Sequence, residues 1–255
     1  MNVKKGILLG GLLLAFIESP ILVQSFQHSV STEAAEEELT ASQMKKQALT
    51  TLSETNVILD VPFEHQLSEP ALENGCEVTA LAMVLNYYDY KTDKNELADQ
   101  LNYVPLITEK GNYGNPHEGF VGNIYEGNET MGIAVEPIGL LAERYVGDDY
   151  QVSYGSSGNF NQLLAVVEAG SPVWFVTTID FDVPEVEDFR TWQTDDEELF
   201  VTSLIHAAVI TGYDETKDLI YVNDPNGEKN QAIDWQVLQE IFIRMGGQYL
   251  YLSND

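Results

Sequence analysis

One cysteine, four histidines and 12 basic side chains are all that this chain of 255 residues offers for disulfide, metal and polyanion chemistry. A lone cysteine excludes an intrachain disulfide and a cysteine-based zinc cluster. His28, His65, His117 and His206 are scattered and form no ligand cluster, so neither a metal nor a cofactor is expected. Against the 12 Lys and Arg stand 41 Asp and Glu, a formal charge of −29. Such a surface repels polyanions, so no nucleic-acid partner is expected. Long apolar runs are scarce too: Gly6 to Ile17 is too short to span a bilayer comfortably, and Glu18 and Pro20 break it. No internal repeat is found.

What is present reads as one folded domain behind an export segment. The composition, 44% hydrophobic and 10% aromatic, is that of a globular chain. Residues 1–25 have the pattern of a signal peptide, with Lys4 and Lys5 ahead of the apolar run and Val23-Gln24-Ser25 as a cleavage site. A secreted or cell-surface protein is expected. The alternative is an uncleaved anchor continuing through Ile21-Leu22-Val23, the one case in which a membrane is a partner. Residues 26–56 read as an acidic polar spacer or pro-segment, and residues 57–255 as the domain.

The lone cysteine opens the most apolar helical stretch, Asn74-Gly75-Cys76 to Tyr88. Val78, Leu81, Ala82 and Leu85 repeat at helical spacing, and Ala80, Met83, Val84 and Tyr87 make most of the other face apolar. A helix apolar nearly all round is a buried one. Cys76 then lies on its first turn, where free N–H groups and the peptide dipole favour an anion, and a lowered thiol pKa is expected. Taken alone, Cys76 fits better a small buried hydrophobe, the commoner role of a free cysteine.

Further elements follow by pattern. Val57 to Pro62 alternates as a strand, and Asp93 with Glu96 caps a short second helix. Residues 111–132, rich in glycine and asparagine, read as a long loop. Helices are expected over 135–144, over 160–168 with Gly170 beyond its end, and over 235–243. Pro172 to Thr178 reads as a central strand and Gln248 to Leu252 as the last. The acidic stretch Asp180 to Glu198 reads as a loop, either simply solvated or overhanging a cleft so as to favour basic substrates.

Ser203 to Tyr213 and Leu219 to Asp224 read as a hairpin. With its turn centred on Glu215 and Thr216, His206 falls opposite Asp224 or within a residue or so of it. A facing pair would let the carboxylate hold one imidazole nitrogen and leave the other to take a thiol proton. A slip of one residue would turn the two side chains to opposite faces. Asn223-Asp224-Pro225-Asn226-Gly227 is also an ordinary turn signature, and neither it nor Asp180-Phe181-Asp182 has the ligand series of a calcium loop. Gln66, a short loop before Cys76, could donate an amide N–H to an oxyanion beside the helix start. The order Gln66, Cys76, His206, Asp224 brings a nucleophile, a base and an orienting group from distant parts of the chain.

Leu59-Asp60-Val61-Pro62, Gln66, Asn74-Gly75-Cys76 with its apolar helix, His206 to Asp214, and Val222-Asn223-Asp224-Pro225 together resemble the C39-like, bacteriocin-processing-type cysteine peptidase family. Gly114-Asn115-Pro116 with Gly119-Phe120-Val121-Gly122 resembles a loop of its stand-alone members. The resemblance implies an α+β, papain-like fold in which the cysteine-bearing helix packs on an antiparallel sheet. It implies Cys76 as nucleophile, His206 as base and acid, Asp224 as orienting group and Gln66 as oxyanion donor. A secreted hydrolase of a peptide or amide bond is therefore expected, set outside or on the surface of a Gram-positive bacterium. Bacteriocin-processing members are fused to an exporter, which these residues do not include, so their substrate does not carry over. A cell-wall amidase or transglutaminase-like enzyme would use the same order of residues. A catalytically inactive peptide-binding or surface-interaction domain would keep the fold without a working thiol.

Overall fold

The computed structural model describes residues 56–254, so the expected signal peptide and nearly all of the expected spacer lie outside the described residues. Among the described residues no helix is long and apolar enough to cross a membrane.

Helix α1, Cys76–Tyr87, is the centre of the core: every residue from Cys76 to Leu85 is buried. Gly75 lets the incoming loop close on the helix start, since a Cβ there would come 2.5 Å from that of Leu72. The helix packs against strands β6 (Val173–Thr178) and β9 (Ile205–Asp214). Each of its fully buried Leu, Val and Met side chains contributes about 1.5–3 kcal/mol by leaving water. Residues of β6 are buried on both faces, as the unbroken apolar run requires.

These strands lie in a seven-stranded antiparallel sheet. Its path runs β11 (Gln231–Asp234), β10 (Leu219–Asn223), β9, β6, β12 (Tyr249–Ser253), β5 (Gln151–Gly155), with β1 (Asn56–Ile58) alongside the far end of β9. Helix α2 (Lys94–Ala98) is capped by Asp93, whose carboxylate accepts from the N–H groups of Asn95 and Glu96. Helices α3 (Val135–Val146), α4 (Phe160–Glu168) and α5 (Trp235–Arg244) complete the fold. Gly170 follows α4 at φ +99°, a left-handed position that favours glycine. The result is the α+β, papain-like arrangement that the resemblance implies.

The hairpin register decides whether His206 and Asp224 can meet. The connection is longer than a turn on Glu215 and Thr216: Leu219 pairs with Asp214, Ile220 with Tyr213 and Tyr221 with Gly212. Continued unchanged, that register would bring Asp224 level with Val209, whose side chain faces away from that of His206. A bulge intervenes. Val222 pairs with Ile210, leaving Thr211 as the extra residue. Asp224 thus comes level with Ala208, on the same face as His206 and two residues along. The bulge is held by Thr211 Oγ1, which donates to Asn230 Oδ1 at 2.8 Å, and by the Thr211 carbonyl, which accepts from Leu59 N–H at 2.7 Å.

Two stretches expected as loops hold strands. Residues 111–132 contain β3 (Phe120–Gly122) and β4 (Thr130–Gly132), which form a small sheet with β2 (Tyr103–Val104). Residues 180–198 contain β7 (Phe189–Gln193) and the start of β8 (Glu198–Thr202), a two-stranded ribbon. Its docking residue is Trp192, buried, which donates to the Gly114 carbonyl at 2.8 Å and stacks on Tyr113 with centroids 3.9 Å apart. Asp195 accepts from Asn112 and Thr108. The acidic tip is therefore tied to residues 108–115 and is not a freely solvated loop.

Candidate active site

Gln66, Cys76 and His206 line one cleft of about 180 Å³. Cys76 is 8% exposed at the start of α1, and His206 is 1% exposed on β9. His206 Nε2 and Asp224 Oδ1 are 2.6 Å apart. The same Oδ1 accepts from the Asn226 N–H at 2.9 Å, and the Gly227 Cα packs so close to Oδ2 that a Cβ would collide with it. The turn signature around Asp224 and its contact with His206 are thus one structure: the turn aims the carboxylate. Phe181 packs at right angles to the imidazole, with centroids 6.5 Å apart.

With Nε2 engaged by Asp224, Nδ1 is the nitrogen left over. It is buried and has no hydrogen-bond partner. A buried imidazole nitrogen without a partner is costly unless something it serves arrives in the cleft.

Gln66 is held from three sides. Its backbone N–H donates to the Pro225 carbonyl at 2.8 Å, its carbonyl accepts from Leu72 N–H, and its Nε2 donates to the Glu73 carbonyl at 2.9 Å. The Pro225 contact ties this loop to the turn that carries Asp224. Its Oε1 is buried and has no hydrogen-bond partner.

The cysteine's surroundings differ from those expected at a helix start. The thiol donates to Glu77 Oε2 at 3.1 Å. Burial pushes the Cys76 thiol well above its ordinary range, and the Glu77 carboxylate beside it pushes the same way. The Ala207 N–H acts in the opposite direction. Desolvation and the neighbouring carboxylate thus outweigh the helix dipole, and the thiol is raised where a helix start alone would lower it. Burial likewise raises the Glu77 carboxyl. Glu77 was not singled out in the sequence, because a carboxylate in the first turn of a helix reads as ordinary dipole complementarity.

Two further hollows adjoin the cleft. One of about 300 Å³ shares Met131 and Ile205 with it and is walled by Phe189, Leu199, Val201 and Met245. The other is open and acidic, and shares Glu73 and adds Glu126 and Glu129. None of the acidic side chains of residues 180–198 lines the cleft itself. Among the described residues no group of three or more His, Cys, Asp or Glu could hold a metal ion.

The profile of the peptidase C39-like family matches residues 58–250. The chain belongs to this family. The uncharacterised protein YvpB of Bacillus subtilis strain 168 is 38% identical over 195 residues, covering 76% of this chain and 75% of its own. A crystal structure of a candidate C39-like peptidase from Bacillus anthracis superposes with a TM-score of 0.73 at 33% identity, covering 79% of this chain and 98% of that one. This membership and the structural likeness give the chain the papain-like fold.

Proposed function

We propose that the chain is a cysteine hydrolase that cleaves a peptide or other amide bond, with Cys76 as nucleophile, His206 as base and acid, Asp224 as its orienting group and Gln66 as oxyanion donor. The observation that carries this reading is the state of His206. It is buried, clamped through Nε2 by Asp224 at 2.6 Å, and its Nδ1 is without a partner in the cleft that Cys76 and Gln66 also line. A structural core histidine would have both nitrogens satisfied.

In the proposed reaction His206 Nδ1 takes the thiol proton and Cys76 sulfur attacks the carbonyl carbon. The oxyanion accepts from the Gln66 Nε2 amide and from the Cys76 N–H at the helix start. The imidazolium then gives its proton to the leaving nitrogen as the C–N bond breaks. Water, deprotonated by His206, releases the acyl group and restores the thiol. The substrate enters between an apolar hollow and an acidic groove, which favours a segment with an apolar side chain on one side of the scissile bond and a basic one on the other. Export rests on the pattern of residues 1–25.

The raised Cys76 thiol favours a second reading, a peptide-binding domain without turnover. Incubating the purified full chain with a mixed peptide library and with peptidoglycan fragments, followed by mass spectrometry, separates the readings. New peptide termini that vanish in Cys76→Ala and in His206→Ala support the peptidase. Cleaved peptidoglycan fragments alone would make it a cell-wall amidase. Retention of peptides without cleavage, unchanged in Cys76→Ala, would leave the binding domain.

A further inference from the structure

Glu77 is the one buried ionisable group of the cleft that the proposed reaction does not use. It is 2% exposed, and both carboxylate oxygens are engaged. Oε2 accepts from the Cys76 thiol at 3.1 Å and Oε1 accepts from the Ile133 N–H at 3.2 Å. The place is shaped for it. Gly132, at φ +82°, lies directly against Oε1, and a Cβ there would overlap that oxygen. The Trp174 indole N–H, from β6, bonds the Glu77 carbonyl at 3.0 Å and fixes the residue's backbone. A carboxylate held at this distance from the attacking atom bears on whether that atom is a thiol or a thiolate.

We propose that Glu77 switches the nucleophile: ionised, it holds Cys76 as a thiol, and protonated, it donates a hydrogen bond to the thiolate, so that the enzyme is most reactive on the acid side of neutral. The inference rests on Cys76 being the nucleophile. No bond between heavy atoms changes. With Glu77 ionised, moving the thiol proton to His206 Nδ1 would leave two anions 3.1 Å apart in a desolvated site. With Glu77 neutral, the same transfer leaves a thiolate flanked by an O–H donor, an imidazolium and the Ala207 N–H. Cys76 on its own helix and His206 from β9 are the titratable groups that act on Glu77. Ile133 and Trp174 present neutral N–H donors only, and Asp224 stands on the far side of the imidazole. Burial raises the Glu77 carboxyl from its ordinary value, against the lowering by its hydrogen bonds and by His206, and so moves its titration in the direction of neutral pH.

The test is the rate of Cys76 alkylation by a small haloacetamide from about pH 4 to about pH 9, in the full chain and in Glu77→Gln and His206→Ala. Cys76 is the only cysteine, so label uptake reports on it alone. Glu77→Gln keeps the acceptor for the Ile133 N–H and offers the sulfur a permanent N–H donor. In the unaltered protein the rate should peak on the acid side and fall as pH rises. In Glu77→Gln the fall should vanish, with the rate at pH 7 about tenfold higher, the effect of lowering the thiol pKa by one unit. A Glu77→Gln rate no higher than that of the unaltered protein would overturn the switch, as would a rate in the unaltered protein that climbs steadily to pH 9. The latter reading needs no variant. If His206→Ala leaves the rate untouched, the Cys–His reading fails, and that failure is distinct from failure of the switch.

Discussion

At the scale of single residues, the candidate site depends on where the turn after β10 points one carboxylate. Asp224 sits in a turn signature that would suit a solvent-facing corner, yet the turn aims its carboxylate at His206. Gly227 is part of that aim. Gly227→Ala should push the Asp224 carboxylate off the imidazole and lower kcat about tenfold or more, the usual scale for disturbing a group that orients a base, with the fold kept. Peptide hydrolysis measured beside circular dichroism checks this; an unchanged kcat would mean that the carboxylate does not orient the base. Cys76 shows the limit of reasoning from one residue outward. Its place at a helix start was legible, but desolvation and Glu77 are properties of the packed site and set the thiol in the other direction.

At the scale of elements, α1 and the strand that carries His206 were legible because long apolar periodicity survives any tertiary context. The short strands β3 and β4 were not, since glycine and asparagine carry little strand signal and pairing alone makes them strands. The ribbon β7–β8 was hidden by its charge: Asp195 at its acidic tip pairs with Lys110 and accepts from Asn112 and Thr108, partners that no local pattern reveals. The bulge at Thr211 was equally invisible, and it alone puts His206 and Asp224 on one face. A different device fixes the Gln66 loop. Lys94, 2% exposed on α2, donates to Ser68 Oγ at 3.0 Å and lies 3.5 Å from Glu64 Oε1. Removing one partner of a buried polar contact costs roughly 1–3 kcal/mol. Lys94→Ala should therefore lower the urea unfolding midpoint and, by loosening the loop, reduce kcat more than it raises KM. An unchanged midpoint would show that the buried ammonium braces nothing.

At the scale of the whole molecule, charge dominates. A formal charge of −29 means that the folded state works against its own repulsion. Raising the salt from about 0.01 M to about 1 M shortens the screening length from about 30 Å to about 3 Å, so Tm should rise by several degrees. A Tm that stays level or falls, followed by calorimetry, would mean that the carboxylates are already paired or dispersed enough not to matter. The fold class and the four candidate site residues were read together because they occupy separate motifs in fixed order. The apolar hollow and the acidic groove beside the cleft were not, because each is assembled from segments far apart in the chain with no shared local pattern.

Whether Cys76 is a nucleophile served by His206 can be read with a peptidyl vinyl sulfone that carries an apolar and a basic side chain, the labelled residue being located by tandem mass spectrometry. One adduct is expected, on Cys76, formed rapidly in the unaltered protein and slowed about a hundredfold or more in His206→Ala, the scale of lost general-base assistance. No adduct on Cys76, or equal labelling in His206→Ala, would contradict that role of Cys76.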